Sequence, residues 1–128
     1  MKYINVDSES KKKSKGHYTA AVVHNGIVYV SGQLPMDSER GVPIEGGIKE
    51  QTRAVFRSLS KILEEAGSSK ERVLRTTAYI PDVSFWKEVN EVYAEYFDEH
   101  RPARTVVPTT KLHYGCLIEI DAIAYICE

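Results

Sequence analysis

Arg104 stands in "RPARTVVP", residues 101–108, between two prolines and directly ahead of the β-branched run Thr105, Val106 and Val107. A guanidinium at the mouth of a strand is either a solvated edge charge or a group aimed at an anion. Glu119 interrupts the apolar run "LIEIDAIA", and period-two alternation puts it on the same strand face as Asp121. Two carboxylates on one face either meet solvent at an edge or serve acid–base chemistry in a cleft. Asn90 falls within an aromatic stripe, where it can bind a neighbouring strand or a ligand. Tyr18 and Ser31 are further polar groups set among apolar neighbours. Singly, none of these residues decides a function.

Other chemistries find less support. The histidines His17, His24, His100 and His113 show neither HxH nor HxxxH spacing and have no Cys/His cluster beside them, so no metal site is expected. There is no GxSxG elbow for a serine hydrolase. "SGQ" at 31–33 lacks the glycine spacing and the lysine of a phosphate loop. Cys116 precedes an apolar strand with no evident base and reads as a buried structural thiol.

The bulk numbers bound the rest. The 128 residues are expected to form a single domain, 1–128, with 42% hydrophobic and 27% charged residues. A formal net charge of −1 gives no field for gripping a polyanion, so nucleic acid is not expected as a partner. The basic run "KKKSK" at 11–15 reads as a solvated loop. The two cysteines, Cys116 and Cys127, form no CxxC pair and suggest a reducing compartment. With no apolar run of membrane-spanning length and no signal-peptide core, a cytoplasmic location is expected and no membrane partner.

The elements that must hold the polar residues can be traced along the chain. "KYINV" reads as a first strand. "YTAAVVH" and "IVYVSG" flank Asn25-Gly26, a strong hairpin signal because a type I′ turn needs positive φ at both central residues. A two-residue turn pairs His24 with Ile27, Val22 with Tyr29, and Ala20 with Ser31. Tyr18, Ala20, Val22, Tyr29 and Ser31 then share one face, with Ala21, Val23, Val28 and Val30 on the other. "LPMDSERGVPIEGG" reads as a loop. From Gly47 to Ala66, Ile48, Val55, Leu59, Ile62, Leu63 and Ala66 recur with helical spacing, and Gly67 is a stop. "RVLRTTAYI" reads as a strand ended by Pro81. Asp82 or Ser84 can cap a second helix, with Phe85, Val89, Val92 and Tyr96 as its main buried stripe and Trp86, Tyr93 and Phe97 beside it. "ARTVVPTT" and "CLIEIDAIAYI" complete the strands. The order β-ββ-α-β-α-ββ predicts an α+β fold, one six-stranded mixed sheet with two helices packed on one face. The other face still carries Val22, Ile27 and Tyr29, which calls for a partner, most economically further copies of the chain.

Taken together, these segments resemble the RidA (YjgF) family of reactive intermediate deaminases, also called the L-PSP family. The resemblance runs through "GHYTAAVVHNGIVYVSGQLPMD", "EQTRAVFRSLSKILEEAGSS", "VNEVYAEYF", "RPARTVVPT" and "LIEIDAIAY". It implies a chorismate-mutase-like fold of the bacillus type, assembled as a homotrimer with a ligand cleft at each subunit interface. It also implies that Arg104 binds a substrate carboxylate, a task suited to a planar guanidinium that can donate two parallel bonds. Glu119 matches the family's water-holding glutamate, Tyr18 and Ser31 its cleft tyrosine and serine, and Asn90 its helix asparagine. Where the family often has Cys or Thr two residues after the arginine, this chain has Val106, which leaves its backbone carbonyl as the available contact. His17 and Thr19 replace the proline and serine of the usual "GPYSQA" rim.

The function so implied is an enamine/imine deaminase, a cofactor-independent hydrolase turning 2-imino acids such as 2-iminopropanoate and 2-iminobutanoate into 2-oxo acids and ammonia. A non-catalytic binder of small carboxylates such as 2-oxo acids is the alternative. Arg104 serves both equally and Glu119 serves catalysis better.

Overall fold

Asn25 and Gly26 both take positive φ, 51° and 76°, which is the backbone a tight I′ turn demands. The turn joins β2 (Ala21–His24) to β3 (Ile27–Gln33) in the expected register, with His24 opposite Ile27 and Val22 opposite Tyr29. This is seen in a computed structural model that describes residues 1–5 and 16–126. The "KKKSK" run, Val6 of the first strand and Cys127 lie outside the described residues.

The first helix, α1 (Ile48–Ala66), starts where the Glu50 carboxylate accepts the Gly47 N–H at 3.0 Å. It stops at Gly67, whose φ of 84° lets the chain leave by a Schellman motif, with Ser68 N donating to Leu63 O at 2.8 Å. All six residues of the expected apolar stripe are buried. Phe56 is buried with them, stacked on Tyr96 at 4.3 Å and edge-on to Tyr93 at 5.1 Å. Burying each such side chain contributes about 1.5–3 kcal/mol, so the stripe fixes α1 to the sheet more firmly than the exposed ion pairs Lys49–Glu91 and Arg53–Glu95 on its outer side.

After β6 (Val73–Ile80) the chain makes a single 3-10 turn capped by Asp82 Oδ1, which accepts from Ser84 N at 2.8 Å. It then enters α2 (Trp86–Phe97). Within α2, Val89 and Val92 are buried as expected, but Tyr93 and Phe97 are more buried than Phe85 and Tyr96. The buried stripe is rotated toward the second aromatic row because Phe56 of α1 packs between Tyr93, Tyr96 and Phe97.

With β1 (Lys2–Ile4), β7 (Ala103–Pro108) and β8 (Glu119–Tyr125), the main sheet has six strands in the order β1-β2-β3-β8-β6-β7. Its pairs are antiparallel except β6 with β7, which run parallel because α2 carries the chain back between them. The sheet is therefore mixed, and both helices cover the face carrying Val23, Val28, Val30, Ala78, Ile80, Ile120 and Ala122.

Three further details differ from the sequence reading. The stretch read as a loop contains a small hairpin, β4 (Met36–Asp37) with β5 (Val42–Pro43). Asp37 Oδ1 holds its turn by accepting from Glu39 N and Arg40 N, each at 3.0 Å. Ala20, expected beside Val22 on the outer face, is buried, because the regular ladder begins only at Ala21. The last strand begins at Glu119 rather than Cys116, after a 3-10 turn at 113–115 in which Tyr114 and Gly115 take positive φ. The face away from the helices carries Val22, Ile27, Ile123 and a Tyr29 that is 49% exposed.

Candidate functional site

β7 is the terminal strand of the sheet, and its register with β6 decides where Arg104 goes. Arg104 lies beside Thr76, a fully buried residue of the helix-facing side, so the guanidinium turns under α2. There its Nη1 donates to Asn90 Oδ1 at 2.9 Å. Its Cζ stands over the Tyr93 ring at 4.7 Å and the Trp86 ring at 5.4 Å. Among the described residues Asn90 supplies its hydrogen-bond partner, leaving the remaining N–H groups to receive an anion. Val106 lies two residues on, on the same face, packed against the core.

Glu119 occupies the opposite face. It pairs with Tyr79 and alternates with the buried Ile118 and Ile120. Its carboxylate lies against Gly32 of β3, where any side chain would overlap Glu119 Oε2. A glycine inside a strand marks this kind of close approach, and the ladder is irregular between Val30 and Gln33. Burial, and then the charge of Asp121, raise the Glu119 carboxyl above the ordinary glutamate range, with His113 pulling weakly the other way. The Tyr79 hydroxyl donates a long bond of 3.5 Å to Asp121 Oδ2. Cys116 is buried and its thiol is pushed up by burial and by Glu119, which keeps it protonated and unreactive.

Ser31, next to Gly32, donates its hydroxyl to Thr19 O at 2.7 Å, so it faces a ligand as an acceptor rather than a donor. Tyr18 is exposed and packs over Gly16. The fold thus brings Arg104, Asn90 and Val106 together beside α2, and Glu119 together with the Ser31–Gly32 segment. Within one chain it does not bring these two groups together, since β6 and the thickness of the sheet lie between them.

Trp86, Tyr93 and Gly32 were not singled out as site residues from the sequence. The signal for the first two was available: Trp86, Asn90 and Tyr93 stand at i, i+4 and i+7, one face of one helix. Among the described residues no group of three potential metal ligands clusters, and no helix is long and apolar enough to cross a membrane.

A six-stranded mixed sheet covered on one face by two helices places the chain among α+β proteins, here with an arginine under the helix and a glutamate on the open side. Residues 8–126 match the family described as endoribonuclease L-PSP. A RutC family protein of Pyrococcus abyssi is 42% identical over 118 residues, 92% of this chain and 93% of that one. The human 2-iminobutanoate/2-iminopropanoate deaminase is 35% identical over 109 residues, 85% of this chain and 80% of its own. The crystal structure of RidA from an Antarctic Psychrobacter superposes with a TM-score of 0.83 at 36% identity, covering 88% of this chain and 91% of that one. The chain belongs to the L-PSP family, which is also the RidA/YjgF family that its sequence resembles.

Proposed function

We propose that this chain is an enamine/imine deaminase that hydrolyses reactive 2-imino acids, 2-iminopropanoate and 2-iminobutanoate among them, to 2-oxo acids and ammonia. The observation that carries the reading is a guanidinium tied through one N–H to Asn90 with others left to bind, supported by a half-buried glutamate packed against Gly32 on the open face. The name of the human relative supports the same reaction.

Arg104 holds the substrate carboxylate and fixes the imine carbon beside it. Glu119, ionised, orients a water and takes one of its protons as the oxygen attacks the carbon of the protonated imine, giving a neutral carbinolamine. The protonated Glu119 then returns the proton to nitrogen. As the C–N bond breaks, the hydroxyl gives its proton back to the Glu119 carboxylate and becomes the carbonyl of the 2-oxo acid, and the departing ammonia carries that proton away as ammonium. A carboxyl pKa raised by burial makes Glu119 a stronger base than an ordinary glutamate and a ready proton donor once protonated. Ser31 and the Val106 carbonyl can accept N–H bonds from the departing amine, Asn90 holds Arg104, and Tyr18 lines the rim.

Arg104 and Glu119 lie on opposite faces in one chain, so the working site draws them from two copies. We take the assembly to be a homotrimer that buries Val22 and Tyr29 against neighbours.

Turnover of freshly generated 2-iminobutanoate, followed as 2-oxobutanoate, tests the reading. Activity in the parent chain and its loss in Arg104→Lys, with melting unchanged, are expected. Losing two charged hydrogen bonds should cost about 2–4 kcal/mol of binding. A parent chain that binds 2-oxobutanoate without turning over the imine is a binder instead.

A further inference from the structure

Arg104 is held by more than Asn90. Its Cζ lies within cation–π range of two aromatic rings, Tyr93 at 4.7 Å and Trp86 at 5.4 Å. Tyr93 is itself fixed: its hydroxyl meets Thr76 Oγ1 at 2.8 Å, and Thr76 is fully buried directly beside Arg104 in the β6–β7 pair. Burial pushes the Tyr93 phenol up to about 12, so the hydroxyl stays neutral and the tie to Thr76 persists across the working pH range. Trp86, the single tryptophan of the chain, is half-exposed at the start of α2. Asn90 fixes one nitrogen of the guanidinium. A single hydrogen bond leaves the plane free to rotate about that nitrogen, and the rings remove that freedom.

We infer that Trp86 and Tyr93, with Thr76 behind Tyr93, are positioning residues that set the plane of the Arg104 guanidinium so that one edge stands ready for a planar carboxylate. The inference rests on Arg104 being the carboxylate anchor. A flexible arginine must be ordered when the ligand arrives, and that ordering weakens binding; an arginine already seated between an acceptor and two rings avoids most of that loss. The role belongs to aromatic faces and not to bulk. An aliphatic side chain of similar size fills the space without attracting the cation.

The test uses the full chain and variants at half-exposed Trp86, where folding is least at risk. Arginine side-chain NMR reads the free protein, with the Arg104 Nε–H signal assigned by its absence in Arg104→Lys. In the parent this signal is expected to be shifted by the rings and slow to exchange. Trp86→Leu should return it toward the exposed arginines and weaken 2-oxobutanoate binding, measured by calorimetry, by about 3–10-fold. Trp86→Phe, which keeps a ring, should restore most of both, and Tyr93→Phe, which keeps its ring but loses the Thr76 tie, should fall between. Trp86→Leu with a parental Arg104 signal and parental affinity would overturn the inference, as would equal rescue by Phe and Leu. A shifted signal in a parent chain that does not bind 2-oxobutanoate would leave the ring seat standing and remove the carboxylate reading instead.

Discussion

Arg104 and Glu119 leave the sheet on opposite faces, Arg104 level with Thr76 of β6 and Glu119 level with Tyr79, three residues further along the same strand. On the proposed deaminase reading, each is therefore only half of the site.

Mixed assembly follows from this relationship. Arg104→Lys and Glu119→Gln chains are each expected to be inactive alone. If the assembly is the proposed trimer, chains unfolded together and refolded as mixed trimers should regain roughly a quarter of parental turnover, because about one interface in four then joins an intact arginine to an intact glutamate. A double variant refolded with an equal amount of parent should likewise leave roughly a quarter of the interfaces intact, below the half expected if both residues acted from one chain. Failure to complement, with mixed trimers verified by mass spectrometry, would mean that both residues act from one chain.

The raised Glu119 carboxyl gives a pH signature. In the proposed mechanism Glu119 acts in its ionised form, so kcat/KM should fall on the acid side through a midpoint above the ordinary value of 4.5. Glu119→Gln should lose about 10²-fold in turnover and the acid limb with it, while 2-oxobutanoate affinity is kept or tightened. The stability sign is opposite to that of a salt-bridged acid. Because the folded pKa is raised, ionisation costs the folded chain more than the unfolded one, and this penalty grows as pH rises from the unfolded pKa through the folded pKa. Glu119→Gln should thus melt above the parent at neutral pH and level with it in acid, as thermal scans across pH would reveal.

Gly32 leaves room for the Glu119 carboxylate. Gly32→Ala should push that carboxylate aside, lowering kcat about tenfold or more while 2-oxobutanoate still binds through Arg104. The pair of measurements is steady-state kinetics and calorimetry. Unchanged kcat would show that Glu119 does not work from its observed position.

A strained turn offers a separate check on the backbone. Asp98, just past α2, takes φ 54° and ψ −114°, the first central position of a type II′ turn closed by His100 N donating to Phe97 O at 3.0 Å. Only glycine adopts that conformation without cost. Asp98→Gly should stabilise the chain by about 1 kcal/mol and raise Tm by roughly 3–5 °C with activity unaltered. A lower Tm would show that the aspartate side chain contributes more than its backbone strain costs.

Much of the architecture was legible because its signals are local. Asn25-Gly26 dictated a turn and hence a register, and the stripe ending at Gly67 dictated α1. Alternation also placed Glu119 opposite Ile118 and Ile120. Alternation alone could not tell which face of the sheet Arg104 would take, since that depends on the β6–β7 register, a property of two distant segments and of α2 between them. The β4–β5 hairpin escaped notice because two-residue strands are too short to show a period. Ala20 was misplaced because alternation cannot reveal where a ladder stops.

The strand order carries a consequence for how the chain is made. β8 comes last of the eight described strands yet lies between β3 and β6, pairing residues about three-quarters of the chain apart, such as Ile27 with Tyr125. While the ribosome is still at work, the β2–β3 hairpin and the β6–α2–β7 unit can each form from neighbouring sequence, but the edges of β3 and β6 stay open. Contacts of such long sequence separation form slowly and leave exposed edges vulnerable to aggregation until they close. The same strand that seals the sheet delivers Glu119. A truncated chain thus lacks the centre of its sheet and its candidate base together.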